Sequence, residues 1–192
     1  MARFANERAY DAIIDAALTG APAGVTRALV QAMIGTESAF KPKAYRAEPH
    51  IQDASRGLMQ ILLRTARGVG FTGQPLELYD PATNIRYGVA YLADLVRAKG
   101  GNVWTAVSAY NNGSGKIAAS PTTVCLARDQ VTGVCVRSYT AQPGQYLNQP
   151  YVDKVKALYQ YFAGGVATAG GGGPVALLVL LALVFGRVVR GA

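Results

Sequence analysis

The sequence predicts a mainly α-helical domain that carries a small inserted β-hairpin and ends in a C-terminal hydrophobic helix. Apolar and small residues recur at spacings of three and four along much of residues 6–162, as one face of an amphipathic helix requires. A β-prone stretch at about residues 122–139 interrupts that pattern. Hydrophobic residues make up 51% of the 192 positions, enough for one compact domain with a core.

Glycine and proline residues mark the ends of the predicted helices. An irregular, charged loop is expected over residues 41–56, after Pro42 halts the second helix. A shorter helical pattern resumes over residues 57–63 and breaks at the glycines of residues 68–73. The longer helices are expected at about residues 6–18, 24–40, 83–98, 102–110 and 151–162.

Changes of composition predict where the chain divides. Residues 163–186 carry no charged side chain, and the glycine run within them is typical of a flexible linker. Arg187 and Arg190 follow an apolar run and suit lipid phosphates, so membrane contact through residues 175–190 is predicted, with packing on a neighbouring subunit as the alternative. The expected segments are an N-terminal helix packed on the domain (1–23), the main domain (24–162), a Gly-rich linker (163–174) and a hydrophobic tail helix (175–192).

The only two cysteines of the chain lie on either side of the predicted hairpin turn. In a symmetric register Cys125 and Cys135 face each other across the strands, so a disulfide is predicted for an oxidising compartment, and two buried free thiols are the alternative. With His50 as the single histidine, these cysteines make a poor zinc-ligand set. Neither a metal nor a cofactor is expected.

The chain is basic, with a formal net charge of +8 from 19 Lys and Arg against 11 Asp and Glu. Such a surface suits an anionic partner: nucleic acid, an acidic membrane leaflet, or a cell-wall polymer that bears carboxylates. No Lys/Arg run with interleaved aromatics occurs, so nucleic acid is not expected, and a nucleic-acid-binding module stays an alternative with salt-dependent retention as its signature. Charges throughout residues 3–15 also argue against a cleavable secretory signal.

Glu37 is the candidate catalytic residue. It follows Met33 by four positions and precedes Phe40 by three, so it lies on the apolar face of the second predicted helix. Partial desolvation there should raise the pKa of the carboxyl and keep a proton available, which is the property of a general acid that protonates a glycosidic oxygen. The alternative is a helix-end glutamate that turns to solvent or pairs with a base such as Arg67.

Four short sequence motifs, the first of which contains Glu37, occur in an order and spacing typical of one family. They are Glu37-Ser38, Gly57-Leu58-Met59-Gln60, Ala109-Tyr110-Asn111-Asn112-Gly113 and Tyr151-Val152. Together they resemble the soluble lytic transglycosylase (SLT) domain, a goose-type branch of the lysozyme-like fold. The resemblance covers about residues 25–162, which is most of the chain.

The resemblance implies a role for each matching position. Glu37 matches the catalytic glutamate, which acts first as acid and then as base. The implied substrate-binding residues are Ser38, the groove-lining pair Met59 and Gln60 that contacts the N-acetyl group, the aromatic-amide pair Tyr110 and Asn111, and Tyr151, which faces the glutamate. Tyr87 and Tyr91 are expected to pack inside.

The sequence departs from the family before the late tyrosine. An acidic-Thr-Arg cluster often stands there, whereas this chain has Leu147, Asn148, Gln149 and Pro150. A second carboxylate from that segment is therefore absent. Near Glu37 in sequence the remaining candidates are Glu48 and Asp53, and we expect both to be solvated loop residues.

The resemblance implies a peptidoglycan lytic transglycosylase, which cleaves the β-1,4 bond between N-acetylmuramic acid and N-acetylglucosamine and leaves a 1,6-anhydromuramyl end. The alternatives are a lysozyme-type muramidase, in which Asp53 or Glu48 positions water, and a non-catalytic glycan-binding protein. The expected partners are peptidoglycan strands and virion or secretion-complex proteins. We expect a phage virion protein that opens the wall of the host cell envelope during genome entry, with a bacterial periplasmic or inner-membrane component of a secretion or conjugation apparatus as the alternative.

Overall fold

The architecture comes from a computed structural model that describes residues 2–129 and 131–164. The predicted tail at residues 175–192 and most of the predicted linker lie outside the described residues. Among the helices that are described, none is both long and apolar enough to cross a membrane. The helices are α1 (Asp11–Ala17), α2 (Arg27–Glu37), α3 (Leu63–Gly68), α4 (Pro81–Ala98), α5 (Val103–Asn112) and α6 (Gln149–Phe162); the strands are β1 (Tyr45–Glu48), β2 (Asp53–Arg56), β3 (Ile61–Leu62), β4 (Thr122–Arg128) and β5 (Cys135–Ala141).

Helix α2 lies at the centre of the core. The Thr26 side chain caps it by accepting the Leu29 N–H at 3.3 Å, and every residue from Leu29 to Gly35 is buried. The helix was expected to reach Phe40 but ends at Glu37, because Ala39 and Phe40 adopt left-handed backbone conformations with φ of 51° and 61°. This turn buries the Phe40 ring against Phe4 and Phe162 and leaves Glu37 at the edge of the core.

Helix α4 anchors the segment that precedes β3. Its buried Asn84 accepts the Met59 N–H at 2.7 Å and donates to the carbonyls of Arg56 and Leu78 at 2.8 and 2.7 Å. One turn later, Gly88 leaves room for the Met59 side chain, since a Cβ at this position would lie 2.5 Å from the Met59 sulfur. The backbone of residues 57–60 is therefore held tightly against the core.

Residues 45–62 form a three-stranded antiparallel sheet in the order β1-β2-β3, with Arg46 opposite Ser55 and Glu48 opposite Asp53. The predicted irregular loop over residues 41–56 is wrong, and so is the helical pattern over residues 57–63. These strands are only 2 to 4 residues long, so the period-two alternation is too brief to recognise, and pairing with distant partners decides the conformation. Positive φ values at Gly57 (73°) and Gln60 (48°) then turn the chain between β2 and β3.

The inserted hairpin is confirmed as strands β4 and β5, and α6 begins shortly after it. A disulfide joins Cys125 to Cys135, with 5.8 Å between their Cα atoms. The symmetric register is wrong, however, because Cys125 lies opposite Ser138 and Cys135 lies opposite Arg128. Irregularities between Cys125 and Arg128 shift the register and bring the two sulfur atoms together.

Candidate active site

Glu37, the last residue of α2, lies half-buried in the wall of an open cleft. Its Oε1 accepts a hydrogen bond from the Tyr151 hydroxyl at 2.6 Å. Burial raises the pKa of Glu37, while the hydrogen bond from Tyr151 and the positive charges of Arg46 and Lys154 act to lower it without cancelling the effect of burial. The carboxyl therefore holds its proton to a higher pH than a solvated glutamate does.

Tyr151 reaches Glu37 from the first turn of α6, which packs along α2. Burial raises the pKa of Tyr151 well above its ordinary value, and the charge of Glu37 and the hydrogen bond to it raise the pKa further. The phenol consequently stays protonated and donates its proton to the hydrogen bond. This arrangement matches the position that the resemblance implies for Tyr151.

Tyr110, from α5, supplies an aromatic surface beside the acid. Its hydroxyl donates to the Met59 carbonyl at 3.0 Å, and its ring packs on Tyr91 with 5.1 Å between the centroids. Burial raises the pKa of Tyr110 well above its ordinary value, and the charge of Glu37 and the neighbouring Tyr91 add to this rise by smaller amounts. Tyr91 and Tyr87 are both half-buried and pack against the buried cluster around Phe71, as expected, and Tyr87 packs its ring on Phe71 at 5.1 Å. Tyr91 in addition lines the cleft.

The cleft has a volume of about 340 Å³ and lies between the small sheet and the helices α2, α4 and α5. Arg46, Glu48 and Ser55 contribute from the sheet, and Arg64 contributes from α3. The helical wall and the turn before β3 provide Glu37, Gln60, Tyr91, Tyr110 and Asn111. Acidic, basic, amide and aromatic groups thus surround one volume, which lies within the range of small-molecule binding sites.

Met59 and Gln60 take different positions from each other. The Met59 side chain is fully buried in the core, so its predicted place in the groove wall is wrong. The turn ahead of β3 directs this side chain inward against Gly88, and only the Met59 carbonyl reaches the site, as the acceptor for Tyr110. Gln60 does line the cleft, and its Nε2 donates to the carbonyls of Ala44 and Gly57 at 3.1 and 3.0 Å.

Ser38 lies behind the catalytic candidate and outside the set of residues that line the cleft. The residue is buried, with 7% of its surface exposed, and its hydroxyl donates to the Ile34 carbonyl at 3.1 Å. A role for this hydroxyl in binding substrate stays a prediction.

Neither Glu48 nor Asp53 is the solvated loop residue that we expected. Glu48 accepts from Arg46 Nε at 2.7 Å and from the Ser55 hydroxyl at 3.3 Å, and it lines the cleft. Burial acts to raise the pKa of Asp53, but hydrogen bonds from the backbone N–H groups of Ala54 and Arg64 and from the Arg56 guanidinium hold it below its ordinary value. Asp53 is therefore an ionised structural group on β2.

Asn148 is a buried polar residue that sequence reasoning did not connect to the site. It precedes α6, is 3% exposed, exchanges hydrogen bonds with Ser108, and donates one to the cleft residue Asn111. The departure of residues 147–150 from the family pattern was the one sequence signal that pointed to this segment. No set of three or more His, Cys, Asp or Glu residues fit to hold a metal ion occurs within residues 2–129 and 131–164.

Comparisons with known proteins bear on the fold and the family of this chain. A family model described as "Transglycosylase SLT domain" matches residues 18–123. The fold is similar to that of the 70-kDa soluble lytic transglycosylase SLT70 from Escherichia coli, with a TM-score of 0.56 and 23% identity over 81% of this chain and 25% of that chain. It is also similar to the 70-kDa soluble lytic transglycosylase solved in complex with bulgecin A, with a TM-score of 0.50 and 29% identity over 56% of this chain and 17% of that one. This chain thus spans a quarter or less of the length of these relatives.

Proposed function

Because this chain belongs to the transglycosylase SLT domain family, we propose that it is a peptidoglycan lytic transglycosylase whose single acid/base is Glu37. The reaction cleaves the β-1,4 bond between N-acetylmuramic acid and N-acetylglucosamine and leaves a 1,6-anhydromuramyl end. One observation carries the proposal: a carboxyl with a raised pKa lies in an open cleft and is held by the Tyr151 hydroxyl.

In the first step protonated Glu37 donates its proton to the glycosidic oxygen. The bond between that oxygen and C1 of the muramyl sugar breaks, and N-acetylglucosamine leaves as an alcohol. Positive charge develops at C1, and the acetamide of the same sugar stabilises it, oriented by Gln60 or Asn111 in the cleft.

In the second step the ionised Glu37 accepts the proton of the muramyl 6-hydroxyl. The oxygen of that hydroxyl attacks C1 and closes the 1,6-anhydro ring, so Glu37 regains its proton and no water is consumed. The ionised state is supported by the Tyr151 hydrogen bond and by the charges of Arg46 and Lys154, while burial favours the protonated state. Opposing influences of this kind suit a group that must act as acid and then as base.

A muramidase of the same fold is the second candidate, because Glu48 lines the same cleft and could direct a water molecule. Its carboxylate is already engaged by Arg46 and Ser55, which favours a structural role. The two reactions differ in their products, since hydrolysis adds one water to the new end.

We also propose that the enzyme acts in the cell envelope during phage genome entry, where local wall opening is needed. The apolar run at residues 175–185 and the arginines that follow it support membrane contact by the tail. Co-sedimentation of the full chain with anionic vesicles tests this contact: loss of sedimentation on deletion of residues 175–192 is expected, and equal sedimentation of both chains contradicts it.

The decisive experiment incubates the full chain with purified sacculi and identifies the soluble muropeptides by mass spectrometry. We expect 1,6-anhydromuropeptides from the unaltered chain and none from Glu37→Gln. Glu77→Gln is the matched control, because Glu77 caps a short helix outside this cleft and glutamine can keep that cap. Release of fragments by a folded Glu37→Gln protein at the unaltered rate overturns the proposal. Because a 70-kDa relative forms a complex with bulgecin A, we expect that compound to inhibit the release.

A further inference from the structure

Asn148 joins the start of α6 to the wall of the cleft through its buried side-chain amide. The Ser108 hydroxyl donates to Asn148 Oδ1 at 2.6 Å, and Asn148 Nδ2 donates to the Ser108 carbonyl at 3.1 Å. The same Nδ2 also donates to Asn111 Oδ1 at 3.0 Å. Both hydrogens of this NH2 group are therefore used within the protein.

These bonds determine which way each amide faces. The Ser108 carbonyl can only accept, so it requires the NH2 end of Asn148 and excludes the flipped orientation. The second hydrogen of that NH2 group then requires an acceptor from Asn111, which must turn its Oδ1 toward Asn148. The Ser108 carbonyl of α5 thus fixes the orientation of the Asn148 amide, and the Asn148 amide fixes the orientation of the Asn111 amide.

Asn111 consequently has its Nδ2 free for a ligand. It is exposed and lines the cleft together with Glu37, and within the described part of the chain its Nδ2 has no protein acceptor. An NH2 group recognises an acceptor such as the carbonyl oxygen of a sugar acetamide, and it does not recognise an ammonium group.

We propose that Asn148 is a positioning residue that holds Asn111 with its NH2 group toward the cleft and thereby selects N-acetylated sugars. The inference rests on the proposed function, because it concerns the same cleft. Asn148 stands three residues before Tyr151, so one short segment positions both Asn111 and the hydroxyl that bonds to Glu37.

A double-mutant cycle on ligand binding tests the inference. Binding of a tetrasaccharide of alternating N-acetylglucosamine and N-acetylmuramic acid, and of its de-N-acetylated form, is measured by calorimetry with Glu37→Gln protein, which prevents turnover. Three variants of the Glu37→Gln protein are compared with it: Asn148→Ala, Asn111→Ala and the combination of both. Gln31→Ala is the control, because Gln31 is another buried amide, bonded to Asp11 and outside the cleft.

Each single substitution is expected to weaken binding of the acetylated ligand about tenfold, as the loss of a well-placed hydrogen bond does. Asn148→Ala should add nothing once Asn111 is alanine, because it acts through that side chain. Both variants should also lose the preference for the acetylated ligand. Gln31→Ala should lower the unfolding temperature and leave both affinities unchanged.

A purely structural role for Asn148 gives a different result. Equal weakening by Asn148→Ala in both backgrounds, or an unchanged preference between the two ligands, overturns the inference. Failure of the Glu37→Gln protein to bind the acetylated ligand also overturns it. The proposed function is tested separately by cleavage of sacculi. If the unaltered chain releases no fragments but binds with this selectivity, the proposed function is contradicted and the positioning role of Asn148 stands.

Discussion

The hydroxyl of Tyr151 donates a hydrogen bond to Glu37 across 2.6 Å, although the two residues are 114 positions apart in the chain. The contact exists because α2 and α6 pack along each other, which brings the last turn of one helix to the first turn of the other. Burial raises the pKa of Glu37, and the Tyr151 bond moderates that rise. The pKa of Glu37 is therefore tied to the packing of two core helices.

Replacement of Tyr151 by phenylalanine should shift the pH dependence of activity. The hydrogen bond favours the ionised carboxyl, so its removal should raise the pKa of Glu37 further. The limb of the kcat/KM profile where activity falls with rising pH should then move to higher pH. Tyr159→Phe is the control, because Tyr159 is on the same helix and packs on Trp104. A shift to lower pH, or an equal shift in the control, would contradict the role of Tyr151.

Glu37→Gln should change how the stability of the fold depends on pH. The folded state raises the pKa of Glu37 above its ordinary 4.5. At a pH between the pKa of the unfolded chain and that of the folded protein, the folded protein therefore binds more protons. The unaltered protein should therefore lose free energy of unfolding, relative to Glu37→Gln, as the pH rises through that window. Urea unfolding of both proteins at about pH 4 and about pH 8 measures the difference. A difference that does not change with pH would show that burial leaves the carboxyl unaffected.

Arg64 should favour substrates that carry peptide stems. It is exposed and lines the cleft, and it has no ion-pair partner among the residues that the structure describes, whereas Arg46 is paired with Glu48. Arg64→Gln is expected to raise KM about threefold to tenfold on glycan strands with carboxylate-bearing peptides, because an exposed ion pair with the substrate is lost. Strands stripped of peptide should show a smaller change, because each muramyl sugar then keeps only its lactyl carboxylate. Arg67→Gln on the same helix is the matched control, since Arg67 is also exposed and lies outside the cleft. An equal effect of both variants would point to general surface charge.

Gly88→Ala should destabilise the fold and weaken catalysis together. The new Cβ would lie 2.5 Å from the Met59 sulfur and 2.9 Å from its Cβ, so the segment that supports Tyr110 must move. A loss of about 1–3 kcal/mol in the free energy of unfolding is expected from such overpacking. Gly68→Ala is the control, because a Cβ there meets no atom within 4 Å. Denaturant unfolding and sacculus digestion measure the two effects, and a Gly88→Ala protein as stable as the control would contradict this packing.

The helices and the catalytic candidate could be predicted because their signals are local. The apolar spacing around Glu37 lies within one helix, and the strings containing Tyr110, Asn111 and Tyr151 are short and contiguous. The small sheet could not be predicted, because Arg46 and Glu48 form a strand only through pairing with β2. Met59 was misplaced because the turn at Gln60 directs it inward, and Asn148 gains its role only through Ser108 and Asn111, which lie 40 and 37 positions away.

Digestion of sacculi in water enriched in oxygen-18 distinguishes an intramolecular reaction at Glu37 from hydrolysis. If Glu37 acts alone, first as acid and then as base on the muramyl 6-hydroxyl, no solvent oxygen enters the product. Mass spectrometry should then find 1,6-anhydromuropeptides without the heavy isotope. Reducing-end products that carry one oxygen-18 atom would rule out this mechanism and identify a hydrolase.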